Sequence, residues 1–425
     1  MKGELIISKE CRYDLDDRKT CLNNNVLVVG TSGSGKTRSI VSPNILKAEG
    51  SYVISDPKRS LYQKYGKYLK QKGYKVKCLD FTRPETGSGW NFFDYIHNEQ
   101  DAVKAAHMIV YSGPRVSGSS REDPFWNAAA ENLLSGLIDY LNRFFGDEGH
   151  TIRSILDLAM KADVGEDWCS DMKNELDELM EREERIHGKN QFCFRQYRQF
   201  RTNPPKTLKC VLTTIFSVLG SLDTPAVRQM MLKKSDRIKL RDIGKERTAV
   251  FVSVSDTDRS MDIFANLFFT QAMNELCLAA DEECEDRRLP VDVRFILDDF
   301  ATNVKIDEFP RMIASIRSRG ISTMLMIQAE SQLVSAYDTD KDTIINNCDT
   351  YVYLGGNDVD TAEAVAKRCN KPLHSVLEMP VGTNWVFRRG NKPVNGVNFD
   401  LNAFEEELLN ERAKRSRKKD ERMAG

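Results

Sequence analysis

Residues Val26 to Thr37 read VLVVGTSGSGKT, and no other stretch limits the fold as tightly. Four apolar, mostly β-branched residues run into Gly30-Thr31-Ser32-Gly33-Ser34-Gly35-Lys36-Thr37. That is the G-x-x-x-x-G-K-[ST] spacing of a phosphate-binding loop. It demands a strand ending at Val29, a sharp turn permitted by Gly30, and a helix from Lys36. Gly33 and Gly35 let backbone N–H groups approach phosphate oxygens with no side chain in the way. The helix N-terminus turns its partial positive charge to the same anion. Lys36 can reach the β- and γ-phosphates of ATP, and the Thr37 hydroxyl can ligate Mg²⁺.

Around this loop the chain alternates strands and helices. Strands are expected at Tyr52–Ser55 and Lys75–Leu79, with helices at Lys36–Lys47, kinked or shortened by Pro43, and at Leu61–Gly73. The rhythm stops after Ile96 and returns at Thr248–Val254. Further strands are expected at Arg294–Leu297, Ser322–Ile327, Tyr351–Leu354 and Trp385–Arg388, and helices at Ser260–Asp281, Phe309–Arg319 and Asp360–Cys369. Alternation of this kind implies an α/β fold with a mainly parallel sheet covered on both faces. Between the two halves the pattern is helical. Pro124–Phe145 places Trp126, Ala130, Leu133, Leu137 and Leu141 at helical spacing. Thr151 can cap a helix to Lys161, and Asp171–His187 carries acids and bases at i,i+4 spacing. The expected division is therefore a nucleotide-binding domain in two parts, 1–98 and 235–403. An inserted all-α domain takes 99–234, and a charged tail takes 404–425.

One stretch of the insertion has two readings. Lys189–Lys209 interleaves Arg195, Arg198, Arg201, Lys206 and Lys209 with Phe192, Phe194, Tyr197 and Phe200. Basic residues among aromatics suit single-stranded nucleic acid, where bases stack and phosphates pair. An amphipathic helix with its aromatics inward produces the same mixture. The formal net charge of −1 gives no global sign of a polyanion partner. The 10 cysteines include no C-x-x-C pair, so they read as reduced thiols of a cytosolic protein rather than a metal or disulfide framework. No apolar run is long enough to span a bilayer, so this chain reads as soluble. An anchor upstream of the abrupt start is left open. The basic run from Arg412 reads as a solvated tail.

A phosphate loop needs a partner carboxylate. Arg294–Leu297 is a buried strand in pattern, and Asp298 stands at its C-terminal end, the edge where open parallel sheets hold ligands. Asp298 is expected to hold Mg²⁺ beside Thr37, and Asp299 to orient or deprotonate the attacking water. Gln328 ends the next strand and is placed to sense the γ-phosphate. Arg317 and Arg319 close a helix, where cations are favoured by the macrodipole in any case. Either could instead reach the γ-phosphate of a neighbouring subunit.

Taken in order, these motifs resemble the type IV coupling proteins, the DNA-transfer ATPases of conjugative type IV secretion systems. The resemblance runs from Val26 to about Gly390. It is carried by GTSGSGKT with Pro43 in the next helix, Ser51–Lys58 (SYVISDPK), Asp123-Pro124-Phe125-Trp126 and Ile296–Ala301 (ILDDFA). Arg317-Ser318-Arg319-Gly320-Ile321, Gln328 with Gln332-Leu333, and Cys348–Lys367 complete it. The resemblance implies a RecA-like motor domain with an inserted all-α domain. It implies a ring, usually hexameric, that is anchored to the cytoplasmic face of the membrane by a segment this chain does not show. It also implies that the all-α domain engages relaxase-linked single-stranded DNA, and that the ring works with the ATPases and inner-membrane components of the channel. The isolated soluble portion would be a monomer. Two motifs depart from the family. Arg59-Ser60 stands where Gly-Glu is common after Asp-Pro-Lys, and Asp299 stands where glutamate is common. A carboxylate one methylene shorter positions water less well, so slow basal hydrolysis is expected. A nucleotide-gated receptor platform with little hydrolysis is the alternative function, and a duplex-DNA translocase is a further one.

Overall fold

The computed structural model describes residues 3–111, 124–163, 172–255, 257–302 and 304–410. Asp123, Asp171 and the basic run from Arg412 lie outside the described residues. The chain divides into two compact units. The first comprises Met1–Val76, Asp242–Ala249 and Ala279–Gly425, and the second Lys77–Arg241 and Val250–Leu278. The sequence-based divisions at 98/99 and 234/235 both fall inside the second unit.

In the first unit the strands run in the order Val394–Val397, Thr383–Arg388, Thr350–Tyr353, Val26–Val29, Ile321–Ile327, Val293–Leu297 and Ser51–Ser55. The last five pair in parallel, with Val29 level with both Ile327 and Tyr353. Every residue of Val26–Val29, Ser51–Ser55, Val293–Leu297 and Thr350–Tyr353 is buried. That is why these strands are mainly apolar rather than alternating: both faces are covered. Thr383–Arg388 is antiparallel to its neighbours, and its residues alternate between buried and half-buried. Val394–Val397, which no sequence signal marked, completes this hairpin.

Local rules account for most departures from the expected elements. Pro43 has no N–H to donate. The chain passes it by forming a π-helical turn, Thr37–Val41, followed by the Ser42–Lys47 helix. Bulges of this kind gather at functional sites. The expected Phe309–Arg319 helix is split into Phe309–Ile313 and a 3₁₀ turn at Ile316–Arg319. Ile313 and Ile316 are both buried, three residues apart, which suits the tighter helix. The Ser60–Gln71 helix begins after Arg59, whose φ is +56°. This is the place where the resembled family has glycine, and a left-handed non-glycine residue costs about 1–2 kcal/mol. Asp56 holds the turn by accepting from the backbone N–H groups of Leu61 (3.2 Å) and Tyr62 (2.8 Å).

The second unit is mainly helical. Its hub is Pro124–Phe144, which packs against Glu99–Tyr111, Phe192–Arg201, Pro205–Gly220 and Ile152–Lys161. Ala130, Leu133, Leu134, Leu137, Ile138 and Leu141 are buried along it. Thr151 caps Ile152–Lys161 by accepting from the Ser154 N–H. Most of the Asp262–Glu283 helix belongs to this unit because Phe264 and Phe268 pack edge-on against Trp90. Among the described residues no single helix is long and apolar enough to cross a membrane. The nine described cysteines are all free.

Candidate functional site

The phosphate loop hangs from the centre of the first unit's sheet. The Gly30 N–H donates to the Ile327 carbonyl (3.1 Å) and the Thr31 N–H to the Gly355 carbonyl (3.2 Å), so the strands on either side fix its entry. Gly30 is required for space rather than for an unusual backbone angle. A Cβ there would lie 2.6 Å from Ser34 Oγ. Gly33 and Gly35 are required for backbone conformation, with φ of +81° and +92°: a Cβ at Gly33 would meet nothing within 4 Å, and one at Gly35 would make only ordinary contact, 3.7 Å from Asn398 Nδ2. Lys36 is buried, and its Nζ donates to the carbonyls of Gly30 and Thr31. Burial pushes its pKa down, and the negative charges of Asp298 and Asp299 oppose that shift.

The carboxylate half lies against the loop. Thr37 Oγ1 donates to Asp298 Oδ2 at 3.1 Å, across 261 residues of sequence. Asp298 follows directly on the Val293–Leu297 strand, as its position in the sequence implies. Burial pushes its carboxyl above the usual range, and the adjacent Asp299 charge adds to the shift. The Thr37 hydroxyl opposes it. Asp299 has φ of +50°, and its N–H donates to Asp298 Oδ1 at 3.2 Å. A hydroxyl and a carboxylate side by side are hard oxygen donors. They fit a divalent cation shared with phosphate oxygens, for which one or two protein ligands are usual. Among the described residues no group of three or more His, Cys, Asp or Glu side chains could form a protein-only cage.

The other expected site residues divide by edge. Gln328 follows the Ile321–Ile327 strand on the same edge as the loop. It is exposed, and its N–H donates to Gln332 Oε1 at 2.8 Å. Arg317 and Arg319 precede that strand and so stand at the opposite edge. Arg317 Nη2 donates to the Asp17 carbonyl at 2.9 Å, and Arg319 makes a two-toothed pair with Asp281 at 2.7–3.0 Å. A cavity of about 830 Å³ at that edge includes Arg317, Arg288 and Arg294 but none of the loop residues. Within one chain these arginines are therefore not brought to the loop.

Two contributors escaped the sequence reading. Asn398 Nδ2 lies 3.4 Å from the Ser34 carbonyl, and the buried Asn384 donates to Asn398 Oδ1 at 3.0 Å. No motif marks this pair. Ser55 Oγ donates to the Asp298 carbonyl at 3.4 Å. Its position at a strand end, before Asp-Pro-Lys, was the available signal. The basic-aromatic stretch of the second unit resolves as an amphipathic helix. Phe194, Tyr197 and Phe200 are buried, and the Tyr197 hydroxyl donates to Asp177 Oδ1 (2.9 Å) with Asn174 Oδ1 at 3.0 Å beside it. Those rings are not available to stack on bases.

Residues 2–372 match the family described as Type IV secretory system Conjugative DNA transfer. The conjugal transfer protein TraG of Escherichia coli is 25% identical over 368 residues, covering 81% of this chain and 54% of TraG. Protein VirD4 of Rhizobium radiobacter is 24% identical, covering 80% of this chain and 47% of VirD4. The chain thus spans about half the length of these relatives. Among solved structures, the plasmid coupling protein TrwB with the ATP analogue ADPNP superposes with a TM-score of 0.65. The identity is 17%, over 94% of this chain and 89% of TrwB. A second TrwB structure, with ADP and Mg²⁺, gives a TM-score of 0.61 at 18% identity, over 88% and 85% of the two chains. The expected RecA-like motor fold with a helical domain agrees with this likeness.

Proposed function

This chain belongs to the type IV secretory system conjugative DNA-transfer family, and on that premise we propose that it is the ATP-dependent motor of a coupling protein. It recruits relaxase-linked single-stranded DNA and delivers it to a conjugative secretion channel at the cytoplasmic face of the membrane, acting there as a ring of identical subunits. The observation that carries this reading is the Thr37–Asp298 hydrogen bond, which joins the two halves of a nucleotide site beside Lys36.

ATP and Mg²⁺ are the cofactors proposed, and both fit the residues present. Gly33 and Gly35 free backbone N–H groups for the phosphates, and Lys36 supplies a positive charge kept out of water. Thr37 and Asp298 would hold Mg²⁺, whose charge neutralises the phosphate oxygens. Asp299 is proposed to orient the attacking water and Gln328 to sense the γ-phosphate. Arg317 and Arg319, at the opposite edge, are proposed to act on a neighbour's nucleotide. TrwB with ADPNP, and with ADP and Mg²⁺, supports this assignment by fold. The test is Lys36→Ala in the intact protein: hydrolysis should fall by about 10²- to 10³-fold and DNA transfer should be lost with it, while the thermal melt is unchanged. Normal transfer by that variant would sink the motor reading.

One observation favours a second reading. Asp299 is shorter than glutamate and sits on a left-handed backbone. If its carboxylate fails to position water, the chain is a nucleotide-gated platform that docks substrate without turning over ATP. Turnover measured with and without single-stranded DNA separates the two. DNA-stimulated hydrolysis supports the motor, and flat, near-zero turnover with substrate binding retained supports the platform.

A further inference from the structure

Between Pro57 and Val76 the sequence holds seven lysines and arginines and no aspartate or glutamate. The whole chain is balanced, with 62 basic and 63 acidic residues, so this is a strong local departure. The Ser60–Gln71 helix carries most of it. Leu61, Tyr65 and Leu69 are buried, which anchors the helix on its apolar side. The outward side presents Gln63, Lys64, Lys67, Lys70 and Gln71, all exposed, followed by exposed Lys72. Lys64 is paired with Glu405 at 2.9 Å. Lys67 and Lys70 have no ion pair among the described residues, and Lys72 lies over the Tyr68 ring at 5.6 Å. At 1.5 Å rise per residue, Lys64, Lys67 and Lys70 lie about 4.5 Å apart along the axis. That is within one Debye length, so their fields add.

We propose that this face of the Ser60–Gln71 helix holds the phosphate backbone of the transferred single-stranded DNA, without reading its sequence. The proposal rests on the DNA-handling reading above and assigns it a surface. Charge complementarity carries it. The outward lysines and glutamines of the helix itself are hydrogen-bond donors that phosphate oxygens accept, and the carboxylate of Glu405 meets this face at its Lys64 end, leaving Lys67, Lys70 and Lys72 for the phosphates. A lipid surface fits less well. Helices that lie in a membrane interface insert their apolar side, and here that side is packed in the core. No exposed aromatic or aliphatic residue stands among the lysines to replace it.

The experiment uses the full chain carrying Lys67→Gln, Lys70→Gln and Lys72→Gln together, against the wild type and a triple Lys→Arg control. Binding to a fluorescent 30-nucleotide single strand is measured from low to moderate salt. The slope of log affinity against log salt should shrink by about 2, at about 0.7 per phosphate released for three contacts. The arginine control should keep the wild-type slope. DNA-free ATP hydrolysis and the thermal melt should not change, because none of the three lysines touches the phosphate loop or the core. Adsorption to phosphatidylserine vesicles should also stay the same. An unchanged DNA slope beside normal wild-type binding overturns this surface alone. Loss of vesicle adsorption with DNA binding intact assigns the face to lipid and overturns it too. A wild-type chain that binds no DNA at low salt overturns both this surface and the DNA-handling reading.

Discussion

Two loops leave strand ends on one edge of the first unit's sheet, and both need left-handed backbone, but they obtain it differently. The phosphate loop puts it on Gly33 and Gly35, where it carries no steric penalty. The carboxylate loop puts it on Asp299, Ala301 and Glu308, with φ of +50°, +69° and +52°. At about 1–2 kcal/mol each, those three residues cost about 3–6 kcal/mol. The offset comes from packing. Phe300 is fully buried between the rings of Phe309 (4.9 Å) and Tyr337 (5.7 Å), and its N–H donates to the Met326 carbonyl at 2.9 Å. The Tyr337 hydroxyl accepts from the Ile306 N–H (3.1 Å) and donates to the Ile306 carbonyl (3.2 Å). Phe300 and Phe309, both fully buried, contribute about 3–6 kcal/mol at about 1.5–3 each, which offsets the cost of the strained loop, and the half-buried Tyr337 adds to it. One loop is shaped by its own residues, and the other by its neighbours. Strain held by its surroundings at a candidate catalytic carboxylate is consistent with preorganisation.

The contrast can be attacked from both sides. Phe300→Ala should do the most damage, with a loss of about 3–5 kcal/mol in urea unfolding and hydrolysis lowered as Asp299 drifts. A small stability change would show that the loop does not depend on its aromatic anchor. Lys36→Ala should lower the hydrolysis rate by about 10²- to 10³-fold, the size expected for one charge donor in a preorganised site. Its melting temperature should hold, because the fault is chemical rather than structural. Gly35→Ala should cost about 1–3 kcal/mol in backbone strain alone, since the nearest atom to a new Cβ is 3.7 Å away. Weaker binding of a fluorescent ATP analogue should accompany it. Ala301→Gly should have the smallest effect, a gain of less than about 1 kcal/mol, because relief of the left-handed penalty is partly cancelled by the entropy of the unfolded glycine. A destabilised Ala301→Gly would mean that the methyl group, not the backbone, matters at that position.

The same division explains what was legible in advance. Val26–Thr37 could be read because strand, turn and phosphate cradle are built from twelve neighbouring residues obeying local rules. Asp298 could be read because a carboxylate after a buried parallel strand has few other places to be. Asn398 could not, because its contact with Ser34 joins residues 364 apart and rests on two ordinary asparagines. The hairpin partner Val394–Val397 was missed for a related reason. A short antiparallel edge strand keeps one face open and leaves no strong apolar run. Arg59 marks the reverse case. The sequence showed a departure from the resembled family, and only its φ of +56° tells what glycine would have supplied there.

By itself, then, the sequence determined the parallel α/β framework, the helical segment within it, the phosphate loop and its carboxylate partner. Each follows from periodicity or from motifs a few residues long. Tertiary structure decided which groups share an edge. It set Thr37 against Asp298, turned the Phe194, Tyr197 and Phe200 rings inward, and left the lysines of Ser60–Gln71 facing water. It also placed Arg317 and Arg319 at the edge opposite the loop. Local rules set the conformation of each segment, but distances between segments come from how buried surfaces pack, and packing is written in no single stretch of the chain.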